Sequence, residues 1–268
     1  MFRLGLIGNP VSQSKSPDIH HKLLQEYNII GHYQLIHTEV EDLGKNIEWL
    51  KDEGFTGFNV TVPYKEKVIE HLHYLEDSAR VMGSVNTVKI DQGKLIGYNT
   101  DGKGYLKSLL TLSPNFLENA ETKSILLLGA GGAAKGIAHQ LLQFPFKQVD
   151  VANRSIERAQ SLVNQLGLSN ILTLNEATEE LAQYDLVINT TSVGMTPHED
   201  EQVISLNYVK PGTIVSDIVY KPNWTSFLMD AKKRNCQLLF GESMLYYQAV
   251  KAFEIWTNPE YNVNQLRG

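Results

Sequence analysis

The chain has 268 residues, of which 42% are hydrophobic and 20% are charged, and its formal net charge is −6. Its length accommodates one large domain or two ordinary ones, and its composition is that of a globular protein. The acidic balance and the lack of a Lys/Arg run argue against a nucleic-acid surface, and every apolar run is far shorter than the ~20 residues that a membrane span requires.

The first hundred residues alternate strand-like and helix-like segments. Strands are predicted at residues 4–7, 33–37, 57–62 and 87–91, and helices near residues 19–26, 42–53 and 65–71. A short glycine-rich segment at residues 102–104 follows, and we interpret it as a linker and hinge between two lobes.

Residues 104–239 continue the alternation, with strands predicted at 124–128, 149–152, 171–174, 186–189, 213–217 and 238–239. This pattern is typical of a parallel sheet with crossover helices. A last helix, residues 244–257, is expected to cross back to the first lobe. The sequence therefore predicts an α/β protein of two lobes with a cleft between them. One is a discontinuous substrate-binding domain of residues 1–103 and 240–268, and the other a Rossmann-like domain of residues 104–239.

A glycine cluster marks a candidate dinucleotide site. The sequence Gly129-Ala130-Gly131-Gly132-Ala133 follows an apolar strand and opens a helix-like stretch. In such a loop Gly129 permits a tight turn, Gly131 lets the backbone approach the phosphates, and Ala134 keeps the helix close to its strand. The N-terminus of the helix adds free N–H groups and a partial positive charge.

The end of the next strand indicates which dinucleotide binds. NAD sites usually carry an acidic residue there, which accepts hydrogen bonds from the ribose hydroxyls. This chain instead has Asn153, Arg154 and Ser155, with Arg158 one turn later. Two arginines can hold a 2′-phosphate through charge-assisted hydrogen bonds. A positive charge near the start of a helix interacts unfavourably with the helix dipole, which favours a functional reason for the arginines. We therefore predict NADP rather than NAD.

Polar residues interrupt the first lobe where a core strand would be apolar. Asn59 and Thr61 share one side of the strand at 57–62, and Lys65, just beyond its end, is expected on the same side. Asn86 and Asp101 flank other strand ends. Ligands of parallel α/β sheets lie beyond the carboxyl ends of the strands. Singly, each of these residues is explained as a turn residue or helix cap. Together they predict a pocket for a small, hydroxyl-rich molecule.

Two alternate serines form a candidate anion site. Ser14 and Ser16 precede a helix that Pro17 is predicted to begin, so two hydroxyls lie at a positive helix end. The alternative is that Ser16 merely caps this helix. Capping accounts for one serine but not for the repeated spacing.

Metal binding and secretion are not indicated. No spaced set of His, Cys and carboxylate residues suggests a metal site, and His20-His21 is interpreted as a helix start. The single Cys236 cannot form an internal disulfide, which fits a reducing cytoplasm. Because residues 1–3 lead directly into a predicted strand, we expect no signal peptide and a cytoplasmic protein, either monomer or homodimer.

The chain resembles the shikimate dehydrogenase family over essentially its whole length. The matching segments, in order, are Gly8-Asn9-Pro10, Ser14-Lys15-Ser16-Pro17, Gly57-Phe58-Asn59-Val60-Thr61-Val62-Pro63, Lys65-Glu66, Gly83-Ser84-Val85-Asn86-Thr87, Asn99-Thr100-Asp101-Gly102, the Gly129–Ala133 loop, Asn153-Arg154-Ser155, Asp217-Ile218-Val219-Tyr220, and Gly241 with Met244-Leu245 and Gln248. Any one segment is common, whereas their order and spacing are specific.

The resemblance implies reversible reduction of 3-dehydroshikimate to shikimate with NADP, in the biosynthesis of aromatic amino acids. It implies a catalytic pair, Lys65 and Asp101, and a substrate pocket of Ser14, Ser16, Asn59, Thr61, Asn86, Tyr220 and Gln248. Cofactor contacts are implied for Gly129, Ala130, Gly131, Gly132, Ala133, Asn153, Arg154, Ser155 and Arg158, with Asp77, Ile218 and Gly241 at the edges. A carboxylate beside Lys65 favours its ammonium form, so we expect Lys65 to stabilise alkoxide charge and donate a proton in the reductive direction.

Some positions depart from the family pattern. Gln13 stands where a histidine is frequent, Tyr64 where His or Phe is usual, and Glu242-Ser243 replace small or apolar residues. None removes a direct donor, so altered kinetics rather than lost activity are expected. Two alternatives stay open: an NAD-preferring quinate/shikimate dehydrogenase, which the arginines disfavour, and a non-catalytic nucleotide sensor, which Lys65 and Asp101 disfavour.

Overall fold

The structure, a computed structural model, describes residues 1–262 and divides into two compact units. The first unit consists of Met1–Thr100 together with Gln248–Gly268, and the second consists of Asp101–Tyr247. Each contains a six-stranded sheet with helices packed on it, which confirms the predicted α/β class.

The first unit has a mixed sheet in the order β2-β1-β3-β5-β6-β4. Its elements are β1 (Phe2–Gly8), α1 (Ser16–Glu26), β2 (Gly31–His37), α2 (Leu43–Asp52), β3 (Gly57–Val60), β4 (Tyr74–Leu75), α3 (Asp77–Met82), β5 (Thr87–Asp91) and β6 (Lys94–Tyr98), with 3-10 turns at Val40–Asp42 and Lys67–His71. Strand β1 pairs in parallel with β2 and β3, whereas β5 runs antiparallel to β3 and β6. Because β3 and β5 are antiparallel, Asn59 near the end of β3 lies close to Asn86, which directly precedes β5.

The second unit has an all-parallel sheet in the order β12-β11-β10-β7-β8-β9. Its elements are α4 (Asp101–Leu112), β7 (Ser124–Leu128), α5 (Gly132–Leu141), β8 (Gln148–Ala152), α6 (Ile156–Leu166), β9 (Ile171–Leu172), α7 (Leu174–Glu179), β10 (Leu186–Asn189), β11 (Ile214–Asp217), α8 (Ser226–Lys233) and β12 (Gln237–Phe240), and 3-10 turns lie at Ala120–Thr122 and Leu181–Gln183. A final helix, α9 (Gly241–Thr257), begins in this unit and ends in the first.

Alternation along β7 explains why this sheet is covered on both faces. Ile125 and Leu127 belong to one hydrophobic cluster, and Leu126 and Leu128 belong to another. Successive side chains of a strand point to opposite faces, so a continuous apolar run fits a strand between two layers of helices. The strand order reverses between β7 and β10, and ligands of such sheets bind at this reversal.

Several sequence-based element predictions differ from the structure. The strand predicted at 57–62 ends at Val60, so Thr61 lies beyond it, and the short elements β4 and α3 were not predicted. The helix predicted at residues 65–71 is only a 3-10 turn at Lys67–His71, because β-branched Val68 and Ile69 are poor helix formers in a segment too short to offset the cost of nucleation. The strand predicted at 171–174 ends at Leu172, since Thr173 and Glu176 form a capping box that starts α7. Strand β6 was not predicted. Its signal is the Gln92-Gly93 turn, whose φ angles of 49° and 74° suit a tight hairpin.

The residues predicted as a linker, 102–104, lie instead in the first turn of α4. Gly102 packs against α5 so closely that a Cβ atom would lie 2.2 Å from the Gly136 carbonyl oxygen and 2.8 Å from Gln140 Cβ. Backbone cannot withdraw from such a contact without moving a helix. The glycine is therefore required for helix packing.

Substituting Gly102→Ala is expected to lower the free energy of unfolding by about 1–3 kcal/mol, the usual cost of overpacking, although alanine favours helix by ~1 kcal/mol. Denaturant unfolding followed by circular dichroism measures the change. The exposed neighbour Lys103→Ala, in the same helical turn, is the control and is expected to be nearly neutral. Equal stability of both variants and the wild type would contradict the packing role.

Candidate functional site

The turn after β7 has room only for glycine. Gly129 has a φ angle of +111°, and a Cβ atom there would lie 2.7 Å from Thr190 Oγ1 and 2.8 Å from Thr191 Cγ2. Its backbone N–H donates to the Ala152 carbonyl at 2.8 Å, which ties the end of β7 to the end of β8. The left-handed conformation and the crowding both explain why this position is glycine.

The next part of the loop is open where a phosphate would approach. Gly131 is the N-cap residue of α5, and apart from Gly131 and its two chain neighbours no heavy atom of the described residues lies within 4 Å of the position of a Cβ atom there. The first turn of α5 contains no acidic residue, and Ala134 is buried in the core beneath it. Free N–H groups, a positive helix end and open space at Gly131 fit the pyrophosphate of a dinucleotide.

Polar groups at the end of β8 shape the adjoining part of this site. Asn153 Nδ2 donates to the Ser155 carbonyl at 2.8 Å, and the Ser155 hydroxyl accepts the Arg158 N–H at 3.4 Å as the N-cap of α6. Within residues 1–262, the exposed guanidinium groups of Arg154 and Arg158 form no ion pair or hydrogen bond. Their charges are therefore available to an anion.

A buried carboxylate organises the ends of β10 and β11. Asp217 accepts hydrogen bonds from Asn189 Nδ2 at 3.0 Å, from the Val219 N–H at 2.9 Å and from Thr225 Oγ1 at 2.7 Å. Burial raises the pKa of Asp217 to about 6, and these three donors oppose part of that rise. The carboxylate thereby holds the backbone of the segment that carries Ile218 and Tyr220.

Ile218 and Gly241, both predicted cofactor contacts, are brought together in the second unit. A Cβ atom at Gly241 would lie 2.4 Å from the Ile218 carbonyl oxygen and 2.7 Å from that of Val219. The start of α9 therefore packs directly on the segment after β11. Tyr220, predicted to bind substrate, is half-buried in the same segment.

The two serines of the candidate anion site lie together at the start of α1 in the first unit. Helix α1 begins at Ser16, and its N-cap residue is Lys15, which makes no side-chain cap. Ser14 Oγ donates to Ser16 Oγ at 3.1 Å and accepts the Ser16 N–H at 3.2 Å. The alternative in which Ser16 merely caps the helix is therefore wrong, because Ser16 is already the first helical residue.

Three further predicted substrate contacts, Asn59, Asn86 and Gln248, join one hydrogen-bond network. Asn59 Nδ2 donates to the Asn86 carbonyl and to Thr87 Oγ1, both at 3.1 Å. Thr87 Oγ1 donates to Asn86 Oδ1 at 2.9 Å, and Asn86 Nδ2 reaches Gln248 Oε1 at 3.5 Å. Thr61, the remaining contact predicted in this unit, is half-buried after the end of β3.

The predicted catalytic residues lie in separate units. Lys65, half-buried, follows Tyr64 in the first unit, and its carbonyl accepts the Val85 N–H at 2.8 Å. Asp101 is 4% exposed and is the first residue of α4 in the second unit, a helix end that favours a negative charge. Asp77, predicted at the edge of the cofactor site, begins α3 in the first unit and pairs with Arg80 at 3.2 Å.

Sequence reasoning missed several polar residues of these networks. Tyr33 Oη donates to Asn59 Oδ1 at 2.8 Å, and the Thr100 N–H donates to Asn86 Oδ1 at 2.8 Å. Asn189 was read only as the end of a strand. For Asn189 the signal was a polar side chain at the end of a buried strand, which is the same signal that identified Asn59 and Asn86.

His20 and His21 lie within α1 rather than at its start. His21 Nε2 accepts the Tyr33 N–H at 3.1 Å, whereas both ring nitrogens of His20 are buried without a hydrogen-bond partner. The His20 ring stacks on Tyr33 with centroids 4.4 Å apart. Burial lowers the pKa of His20 to about 3, and the neighbouring Asn59 side chain offsets only part of this effect.

This histidine predicts acid sensitivity of the fold. His20 takes up a proton near pH 6.5 in the unfolded chain, but only near pH 3 in the native state. The free energy of unfolding is therefore highest above pH 6.5 and decreases as the pH falls below this value. We expect His20→Phe to remove a loss of about 2 kcal/mol between pH 6.5 and pH 5. Urea unfolding at both pH values measures it. Equal pH dependence in the variant and the wild type would contradict this origin.

Within residues 1–262, no helix is long and apolar enough to span a membrane, and no group of three His, Cys, Asp or Glu residues is placed to hold a metal. The order of the strands in the parallel sheet reverses beside the Gly129 turn, and the N-terminus of α5 is open there. These two features define a dinucleotide-binding α/β protein.

Comparison with known proteins narrows this class. One family model, described as the shikimate dehydrogenase substrate binding domain, matches residues 6–88, and another, described as shikimate / quinate 5-dehydrogenase, matches residues 111–219. A protein of Oceanobacillus iheyensis named shikimate dehydrogenase (NADP(+)) is 47% identical over 264 residues, which cover 98% of this chain and 95% of that protein. The chain belongs to the shikimate dehydrogenase family, as its resemblance predicted.

Solved structures agree with this assignment. Shikimate 5-dehydrogenase from Thermus thermophilus, in complex with NADP(H) and shikimate, is 33% identical with a TM-score of 0.86, over 96% of this chain and 94% of that one. Quinate dehydrogenase from Corynebacterium glutamicum, in complex with NAD, is 30% identical with a TM-score of 0.86, over 99% and 97% of the two chains. The same fold thus occurs with either dinucleotide.

Proposed function

We propose that this chain catalyses the NADP-dependent, reversible reduction of 3-dehydroshikimate to shikimate in the biosynthesis of aromatic amino acids. The observation that carries the proposal is the polar network of the first unit, where Asn59, Asn86 and Gln248 are held together by hydrogen bonds. A relative that covers nearly the whole chain bears the name of this NADP-dependent enzyme. A hydroxyl-rich substrate suits such an array of amides and hydroxyls.

NADP is assigned to the second unit. The Gly129–Gly131 turn and the start of α5, through Ala133, would hold the pyrophosphate, and Arg154 and Arg158, with Asn153 and Ser155, would hold the 2′-phosphate. Ile218, Gly241 and Asp77 are proposed as further contacts. When bound, NADP would supply hydride transfer to and from the carbon that bears the alcohol or the ketone. The available guanidinium groups support NADP over NAD.

The substrate is assigned to the polar residues of the pocket. Ser14 and Ser16 at the start of α1 would donate to the carboxylate, where the positive helix end adds to the attraction. Asn59, Thr61, Asn86, Tyr220 and Gln248 would contact the ring hydroxyls. Fixed partners orient the amides before the substrate arrives, which lowers the entropy lost on binding.

Lys65 and Asp101 are assigned to the chemistry. In the reductive direction, the Lys65 ammonium group donates a proton to the carbonyl oxygen as that oxygen gains negative charge. In the oxidative direction, the neutral Lys65 amine takes up the hydroxyl proton, and the ammonium group that this forms stabilises the negative charge developing on the oxygen. Asp101 would orient Lys65 and accept a hydrogen bond from a substrate hydroxyl. Proton transfer by a positioned side chain contributes about 10²–10⁴-fold to a rate.

We assign substrate binding to residues 1–103 with 240–268 and cofactor binding to residues 104–239. A cytoplasmic location is also proposed, supported by the single cysteine and by a cofactor of intracellular metabolism. The enzyme is proposed to act as a monomer or homodimer, which analytical ultracentrifugation measures directly.

Turnover of shikimate with NADP and, separately, with NAD tests the proposed function. The purified protein is mixed with shikimate and each dinucleotide, and reduced nicotinamide is followed by absorbance. Fast reduction with NADP and little with NAD is the expected result. Equal or faster reduction with NAD would assign the chain to the quinate/shikimate branch, and quinate is then compared as substrate. Tight NADP binding without turnover would instead indicate a nucleotide sensor.

A further inference from the structure

A buried tyrosine connects the two halves of the proposed substrate site. Tyr33 lies in β2 and is 3% exposed, with its phenol between Ser16 and Asn59. Its hydroxyl donates to Asn59 Oδ1 at 2.8 Å, and the Ser16 side chain lies next to it. A phenol has one proton, which Asn59 receives, so towards any other group its oxygen can act only as an acceptor.

Hydrogen bonds fix the groups on both sides of Tyr33. Ser14 donates to Ser16 beside the phenol, and Tyr33 donates to Asn59. Beyond Asn59, the chain continues through Thr87 Oγ1 to Asn86 Oδ1, and Asn86 Nδ2 faces Gln248. From Tyr33 onwards each member donates to the next, so the orientation of each amide depends on the group before it.

The surroundings fix Tyr33 and keep it neutral. Its ring stacks on His20, with an interplanar angle of 11°, and lies 6.4 Å from Trp256 between ring centroids. Burial raises the pKa of Tyr33, so the phenol keeps its proton throughout the working range of pH. A rigid, neutral phenol therefore presents a fixed donor to Asn59 Oδ1.

We propose that Tyr33 is a positioning residue of the substrate site, which sets the orientation of the Asn59 amide beside Ser16. The inference rests on the proposed function, because Asn59 and Ser16 are its substrate contacts. Without the phenol oxygen, Asn59 Oδ1 is buried without this donor, and the amide is oriented only through the bonds of Asn59 Nδ2 to the Asn86 carbonyl and Thr87 Oγ1. Part of the preorganisation of the Asn59 subsite is then lost.

Substituting Tyr33→Phe tests the proposal. We expect KM for shikimate to rise about 10-fold or more, whereas KM for NADP changes less than about twofold and kcat less than about threefold. The matched control is Tyr184→Phe in the second unit, whose buried hydroxyl donates to Asp150 Oδ2 at the same 2.8 Å distance. It loses a comparable buried hydrogen bond, and its KM for shikimate is expected to be unchanged.

A double-mutant cycle shows whether Tyr33 acts through Asn59. In an Asn59→Leu background, Tyr33→Phe is expected to add less than about twofold to KM for shikimate. Fully multiplicative effects, similar rises of both KM values, or an unchanged KM for shikimate in the single variant would overturn the proposal.

A separate readout distinguishes this failure from failure of the proposed function. Absence of turnover in the wild-type protein overturns the function alone. In that case, the rate of hydrogen exchange of the Asn59 side-chain amide, measured by NMR, tests whether Tyr33 positions Asn59. Faster exchange in Tyr33→Phe, but not in Tyr184→Phe, supports it, and unchanged exchange refutes it.

Discussion

Replacing Lys65 by methionine is expected to lower kcat for shikimate oxidation by about 10²–10⁴-fold, while KM for shikimate changes much less. Methionine keeps the unbranched stem of the side chain and removes the ammonium group. The variant therefore retains the packing of the half-buried stem but has no group to stabilise the alkoxide or move the proton. Steady-state kinetics with saturating NADP measure both parameters.

The control for this substitution is Lys67→Met. Lys67 is exposed, begins the 3-10 turn two positions later, and has no proposed role in catalysis. It tests whether loss of a positive charge from this segment is itself harmful, and its kcat is expected to stay near the wild-type value. A large rise in KM for shikimate with kcat intact in Lys65→Met would show that Lys65 binds the substrate without taking part in the chemistry.

Local sequence patterns were sufficient for most of the second unit. The strands at Ser124–Leu128 and Leu186–Asn189 were predicted with the bounds that the structure has, because each is a short apolar run bounded by polar or glycine residues. The Gly129 turn could be predicted equally well, because a positive φ angle favours glycine whatever the rest of the fold. The order of the strands could not be predicted from local sequence. It follows from the pairing of β7 with both β8 and β10, which depends on the whole sheet.

The glycines of α4 show why a residue type alone misleads. A glycine-rich segment is usually a flexible connection, and residues 102–104 were interpreted in that way. Gly102 is instead needed because the Gly136 carbonyl lies against it, a contact between helices that are distant in sequence. Only the packed structure distinguishes a glycine required for flexibility from one required for close approach.

Polar core residues show the same limit for the candidate site. Asn59 and Asn86 were identified because amides at strand ends are conspicuous in sequence. Tyr33 was not, because an aromatic residue in an alternating strand is the ordinary pattern of a buried β-strand. Its importance lies in the phenol oxygen, which reaches Asn59 across two neighbouring strand pairings. Asp217 matched a family segment, yet its three hydrogen bonds and raised pKa depend on tertiary contacts.

Substituting Arg154→Ala is expected to raise KM for NADP by about 10- to 100-fold and to leave KM for NAD nearly unchanged. A hydrogen bond to a charged group contributes about 1.5–3 kcal/mol, which corresponds to this range of affinity. NAD has a hydroxyl in place of the 2′-phosphate, so it makes no comparable demand on the guanidinium group. The two KM values are measured with saturating shikimate, and the double variant with Arg158→Ala is expected to be weaker still.

Lys147→Ala is the matched control, because Lys147 is an exposed cation that immediately precedes β8, the strand whose opposite end leads to Arg154. It changes the net charge equally, so a general electrostatic effect on NADP would weaken both variants alike. A loss confined to Arg154→Ala and to NADP assigns the 2′-phosphate to the end of β8. Equal losses for NADP and NAD would instead indicate a disturbed α6, since Arg154 directly precedes Ser155, the N-cap residue of that helix.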